Sequence, residues 1–280
     1  MINILETPRD AMQGISNFIS TDKKVEYLNS LLKVGFDTID FGSFVSPKAV
    51  PQMRDSAEVI EQLNNTSDTE IVSTIGSLSG AKRAFEHDKI DGIVFPFSIS
   101  ESFLKRNINS NFDKVQKLSN QLIDLCDQKN RSLKFYIAMA FGNPYGDKWN
   151  VDILLRWTEK LLEMGVSTLI LADTTGDGSQ KDIAESYKAL YREFPVLQPG
   201  AHLHTTPQNW HGKLSAAYNN GCRNFDTVIG GLGGCPMSGK ALMGNLNTLD
   251  LIDFAKEKNE ELKINNEEIL RAMEVGNRVF

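Results

Sequence analysis

The sequence predicts an α/β fold, a closed (β/α)8 barrel of the TIM type, and three observations predict it. Short apolar, β-branched runs alternate with longer helical patterns from one end of the chain to the other. Eight such runs can be counted, the repeat expected of a parallel sheet built from βαβ units. The 280 residues also suit one barrel, which takes roughly 250.

The candidate strands are 2–6, 37–42, 69–75, 91–97, 134–141, 167–172, 200–204 and 225–229. Candidate helices lie near 21–34, 54–65, 79–87, 111–129, 150–164, 180–193, 208–220, 247–259 and 266–279. Thr21-Asp22 and Asn150-Val151-Asp152 supply helix starts, and Gly35 and Gly165 stand where helices should stop. An open doubly wound sheet is the rival arrangement. Its dinucleotide-binding version calls for a GxGxxG after the first strand, which this chain lacks. Pro and Gly are scattered among short loops, and the polar stretch 64–68 is too short to separate domains, so residues 1–280 are expected to form a single domain.

Hydrophobic residues make up 41% of the chain and charged ones 24%, the balance of a globular protein with a sizeable core. The formal charge of −6 argues against a nucleic-acid partner, which calls for clustered Lys and Arg. Cys126, Cys222 and Cys235 form an odd set without CxxC spacing, which favours a reducing compartment. With no signal-peptide pattern and no run of about 20 apolar residues, a cytoplasmic protein without a membrane partner is expected.

In a barrel, chemistry collects at the C-terminal ends of strands. The first candidate strand is followed by Thr7-Pro8-Arg9-Asp10-Ala11-Met12-Gln13, read as a tight turn, and the second by Gly42-Ser43-Phe44-Val45-Ser46-Pro47-Lys48. The sixth ends in Asp173-Thr174-Thr175-Gly176 and the seventh in His202-Leu203-His204. Past the eighth runs Gly230-Gly231-Leu232-Gly233-Gly234-Cys235-Pro236, then Gly244-Asn245. Side chains two apart on a strand share a face, so His202 and His204 can address one ion. Taken alone, the pair fits two ordinary polar residues equally well. Adding Asp10 and Asn245 gives two nitrogens and two oxygens, a set suited to Mg²⁺, Mn²⁺ or another borderline ion. The glycine run is either a plain turn or a loop able to bring the Cys235 thiol over the mouth. Arg9 beside Asp10 is either a surface ion pair or a cation placed to stabilise an enolate oxygen. Cys126 and Cys222 read as small buried hydrophobes.

Together these stretches resemble the 3-hydroxy-3-methylglutaryl-CoA lyase family, in the DRE-TIM metallolyase group that also holds isopropylmalate and homocitrate synthases. Its PRDGLQ stretch corresponds to residues 8–13, SFVSPKxVPQM runs unbroken from Ser43 to Met53, KKNIN corresponds to residues 105–109, and GLGGCP runs from Gly231 to Pro236. The resemblance implies a TIM-barrel lyase for an acyl-CoA substrate, dependent on a divalent metal and assembled as a homodimer. It implies that Asp10, His202, His204 and Asn245 are metal ligands, that Arg9 stabilises the enolate, and that Cys235 is the general acid with His202 sharing in proton transfer. Asp173 and Asp40 take the family's two further catalytic carboxylate positions. Gln13, Ser43, Asn107, Tyr136 and Thr174 fall where the family binds substrate. Three departures stand out: Asp40 replaces a family Glu, Thr205 replaces an Asp after the histidines, and the span from Cys235 to Asn245 is one residue longer than in the animal enzymes. They leave room for another 3-hydroxyacyl-CoA, for a condensing enzyme, or for a catalytically silent binding homologue.

Overall fold

The structure, a computed structural model, describes residues 1–234 and 243–280. Eight parallel strands follow one another around a ring: β1 (Asn3–Glu6), β2 (Thr38–Ser43), β3 (Glu70–Thr74), β4 (Gly92–Ser98), β5 (Ser132–Ala138), β6 (Thr168–Asp173), β7 (Gly200–Thr205) and β8 (Asn224–Thr227). Each pairs in parallel with its neighbours in sequence, and β8 returns to pair with β1, closing the barrel. A closed ring leaves no sheet edge, which excludes the open doubly wound alternative.

Alternation along each strand sorts side chains into two layers. On β6, Leu169 and Leu171 face the helices, while Ile170 and Ala172 face inward with Leu5, Val72, Val94 and Tyr136. The outer layer packs against α2 (Thr21–Leu32), α3 (Ser56–Gln62), α4 (Leu78–Ala84), α6 (Phe112–Lys129), α7 (Val151–Glu163), α8 (Gln180–Glu193), α9 (Trp210–Asn219) and α10 (Thr248–Glu257). Phe95 and Phe135, wholly buried with ring centroids 5.5 Å apart and edge to face, represent this layer. Burial of each contributes about 2–3 kcal/mol. The last helix, α11 (Asn266–Val279), lies along α2, where Phe280 meets the edge of Tyr27.

Asn150 caps α7 as the sequence predicts, its side chain accepting from the Ile153 amide. Gly35 and Gly165 take positive φ at the ends of α2 and α7. Thr21 does not cap: Ser20 holds that position, and the Thr21 hydroxyl instead donates to Asp55 at 2.9 Å. β5 ends at Ala138 rather than running to 141, because Met139 adopts φ 61 and turns the chain off the sheet.

Two helices go beyond the sequence reading. Residues 8–13, read there as a tight turn, form the short helix α1 (Pro8–Gln13), with Pro8 supplying the fixed φ of a helix start. α5 (Glu101–Ile108) is started by Ser100, whose hydroxyl accepts from the Phe103 amide. Finally, β9 (Gly244–Asn245) adds antiparallel to β7, pairing Asn245 with His204 and Gly244 with Thr205.

Candidate metal centre and active site

β7 is the axis of the site. His202 and His204 point inward from alternate positions, both buried, with their Nε2 atoms 3.2 Å apart. α1 brings Asp10 over the same point, and one ligand atom from each of Asp10, His202 and His204 lies within 4.8 Å of the others. β9 supplies Asn245, whose Nδ2 donates to Asp10 Oδ2 at 2.8 Å and to the Leu232 carbonyl at 2.8 Å. Its Oδ1 is buried without a hydrogen-bond partner among the described residues. Gly233 makes this closeness possible: at φ +90, a Cβ there would stand 2.6 Å from the Asp10 carbonyl and 2.9 Å from Asn245 Nδ2.

These residues fit a divalent metal ion. An ion with bonds of about 2.1 Å holds adjacent ligand atoms about 3 Å apart, close to the separation of the two Nε2 atoms. The orphaned Asn245 oxygen has no partner among the described residues, as expected of an atom that an ion completes. Burial, and then the neighbouring His202, lower the His204 pKa to about 4, which keeps that imidazole in its neutral, ligating form. Burial would raise the Asp10 pKa, but Arg9 and the two histidines outweigh it and hold the carboxylate ionised.

Beside the cluster, Arg9 is clamped in place. Its Nε and NH2 groups both donate to Asp40 Oδ2 at 2.8 Å, and NH1 donates to Asp10 Oδ1 at 3.1 Å and to Gln13 Oε1 at 3.0 Å. Gln13 Nε2 donates in turn to Asp10. Burial opposes the charge of Arg9, but Asp40 and Asp10 outweigh it and raise its pKa further. Asp40 also accepts from Thr74 at 2.9 Å, its Oδ1 has no hydrogen-bond partner among the described residues, and burial raises its pKa. Though one methylene shorter than Glu, Asp40 thus reaches the guanidinium.

These groups open onto a cavity of about 410 Å³ at the C-terminal mouth of the barrel. Arg9, Asp10, Gln13, Ser43, Asn107, Tyr136, Thr174, His202 and His204, all named in the sequence reading, line it. Ser43 Oγ is buried without a partner among the described residues, while the Thr174 hydroxyl accepts from the Met139 amide. Val45, Val50, Phe103 and Ile108 form an apolar side to which the sequence reading gives no role. Phe103 and Ile108 come from α5, too short for periodicity to reveal.

Asp173 is placed differently from the other named carboxylates. It follows Leu171 on the outward face of β6, where Oδ2 accepts from Lys213 Nζ at 2.5 Å and Oδ1 from the Gly178 amide at 2.9 Å. Lys213, buried on α9, also donates to the Gly176 and His204 carbonyls at 2.8 and 2.9 Å, tying the β6 turn to the histidine strand. Nothing in the pattern of α9 marks that lysine. Cys235 lies outside the described residues. Asp226 on β8 is a further unanticipated member: Oδ2 accepts from the Tyr136 hydroxyl and lies 3.0 Å from His202 Nδ1. Burial works against protonation of His202, but this carboxylate outweighs it and raises the pKa.

The chain is similar to known proteins along nearly all of its length. Hydroxymethylglutaryl-CoA lyase YngG of Bacillus subtilis is 28% identical over 95% of this chain and 88% of its own length. The cytoplasmic 3-hydroxy-3-methylglutaryl-CoA lyase of Rattus norvegicus is 30% identical over 90% of this chain and 73% of its own length. Among solved structures, an HMG-CoA lyase from Acinetobacter baumannii, in complex with coenzyme A and 3-methylmalate, superimposes with a TM-score of 0.92 at 28% identity, covering 100% of this chain and 91% of that one. With residues 2–275 matching the HMGL-like family, the chain belongs to that family.

Proposed function

We propose that the protein is a carbon–carbon lyase that cleaves 3-hydroxy-3-methylglutaryl-CoA into acetyl-CoA and acetoacetate with the help of Mg²⁺ or Mn²⁺. The observation that carries this reading is the Asp10–His202–His204 cluster standing next to a doubly clamped Arg9 in one cavity. A divalent ion held by Asp10, His202, His204 and Asn245 would polarise the substrate's tertiary hydroxyl and a neighbouring oxygen, lowering the hydroxyl's pKa.

The chain's own residues carry the remaining tasks. A protein base takes the hydroxyl proton, with Asp40 the candidate from the family positions. The C2–C3 bond then breaks, its electron pair becomes the enolate of acetyl-CoA, and C3 becomes the ketone of acetoacetate. Arg9, held rigid by Asp40 and Asp10, is preorganised to face the charge that develops on the enolate oxygen. Cys235 is the proposed donor of the proton that C2 receives. Gln13, Ser43, Asn107, Tyr136 and Thr174 are proposed to hold the acyl-CoA in the cavity. Asp173 is proposed to act indirectly, through Lys213 and the backbone of His204. The reading includes a single catalytic domain over 1–280 and a cytoplasmic homodimer, on the family resemblance. Among the described residues, no helix is long and apolar enough to cross a membrane.

The test is a panel of branched 3-hydroxyacyl thioesters assayed with Mg²⁺. Hydroxymethylglutaryl-CoA is expected to be cleaved fastest, and faster cleavage of another member would overturn the substrate assignment.

A further inference from the structure

His202 needs one particular tautomer to serve an ion through Nε2: the proton must sit on Nδ1. Histidines that bind metals are usually fixed in this way by a carboxylate or carbonyl behind the ring. The position directly after the second histidine offers no carboxylate here. Thr205 sends its hydroxyl to the Asn245 carbonyl at 3.3 Å. The Asp10 carboxylate is taken up by Arg9, Gln13 and Asn245.

The neighbouring strand supplies the missing group. β8 pairs in parallel with β7 so that His202 and Asp226 stand side by side, both buried. Asp226 Oδ2 lies 3.0 Å from His202 Nδ1, on the side of the ring away from His204. The same oxygen accepts from Tyr136, whose ring meets the His202 ring edge to face at 5.4 Å. One carboxylate oxygen therefore fixes both a metal ligand and a wall of the substrate cavity.

We propose that Asp226 is a positioning residue that holds His202 in its Nδ1–H tautomer, leaving Nε2 to bind the divalent ion, and that it sets the affinity of the site for that ion. The inference rests on the metal-centre reading above. A neutral amide at this position lacks the charge that makes the carboxylate oxygen a strong acceptor for both donors, and it can present either its oxygen or its NH2 group to the ring. Its NH2 group, turned to His202, would donate to Nδ1 and force the proton onto Nε2, where it blocks the ion.

Mn²⁺ titrated into metal-stripped full-length protein, with free Mn²⁺ followed by electron paramagnetic resonance, tests this. Asp226→Asn is expected to weaken Mn²⁺ binding by about 10–100-fold at unchanged melting temperature, while Tyr136→Phe shifts it by no more than about threefold. Wild-type affinity in Asp226→Asn overturns the inference alone. No Mn²⁺ binding by the wild type overturns the metal reading and the inference with it. Should Asp226→Asn fail to fold, histidine ¹⁵N shifts of the metal-free wild type, at a pH where His202 is neutral, decide the matter. The Nδ1–H tautomer supports the proposal and Nε2–H overturns it.

Discussion

At the N-terminal end of the barrel interior, Glu70 accepts from Lys134 Nζ at 2.7 Å, from Thr38 at 2.9 Å and from Ser132. Burial would raise its pKa, but Lys134 and the two hydroxyls outweigh this and lower it. At the opposite end, Asp40 Oδ1, Ser43 Oγ and Asn245 Oδ1 are buried with no hydrogen-bond partner among the described residues, and two histidine nitrogens face each other. Both ends place charge inside a barrel whose middle is apolar, with Leu5, Val72, Val94 and Ile170 between them. The floor closes its polar groups on one another, as a stable interior requires. The mouth holds its groups in place yet leaves acceptors open, which is the signature of a site completed by something other than the chain.

Breaking the mouth is expected to give the largest effect. His204→Ala removes one ligand from the cluster, so purified protein should retain no Mn²⁺, and turnover should fall by roughly 10³-fold or more. Normal metal content in that variant would contradict the ligand assignment.

Glu6 sharpens the contrast from behind the mouth. This wholly buried carboxylate accepts from the Ile229 amide and from the Thr227 and Thr248 hydroxyls, and burial raises its pKa from 4.5 to about 7. A raised folded-state pKa contributes stability that is fully present below about pH 4.5 and is lost as pH rises through about 7. Glu6→Gln should therefore match the wild type near pH 4.5 and exceed it at pH 8 by up to roughly 3 kcal/mol in urea unfolding. An unchanged difference between the two pH values would show that Glu6 is ionised in the folded protein.

The smallest effect is expected at the floor. Lys134→Met leaves Glu70 with its two hydroxyl donors and should cost about 1–2 kcal/mol, lowering the melting temperature by a few degrees. Turnover at 25 °C should not change, and a lower kcat would show that floor and mouth are coupled.

Much of this division was legible in the sequence. The eight strands stand within a few residues of their predicted spans because short β-branched runs alternate with long amphipathic helices. His202 and His204 were legible because a period of two puts both on one face. That same period explains Asp173: Ala172 faces inward, so Asp173 faces the helices, although its place at a strand end suggested the mouth. α1 and α5 were hidden by their shortness, six and eight residues. Asp226 could have been found as a carboxylate within a buried strand, but its partner is set by the register of β8 against β7, which only the closed barrel fixes. The pairing of Asn245 with His204 is likewise a contact made by two strand residues, β9, joined across 41 positions of chain.

A divalent ion is expected to complete the open groups at the mouth, which then together cleave a 3-hydroxyacyl thioester. Metal-stripped protein mixed with hydroxymethylglutaryl-CoA, followed by addition of Mg²⁺ or Mn²⁺, tests it most directly. We expect no product before the metal is added, and acetyl-CoA and acetoacetate in equal amounts after it. Equal cleavage with and without metal, or none with either ion, would contradict the account.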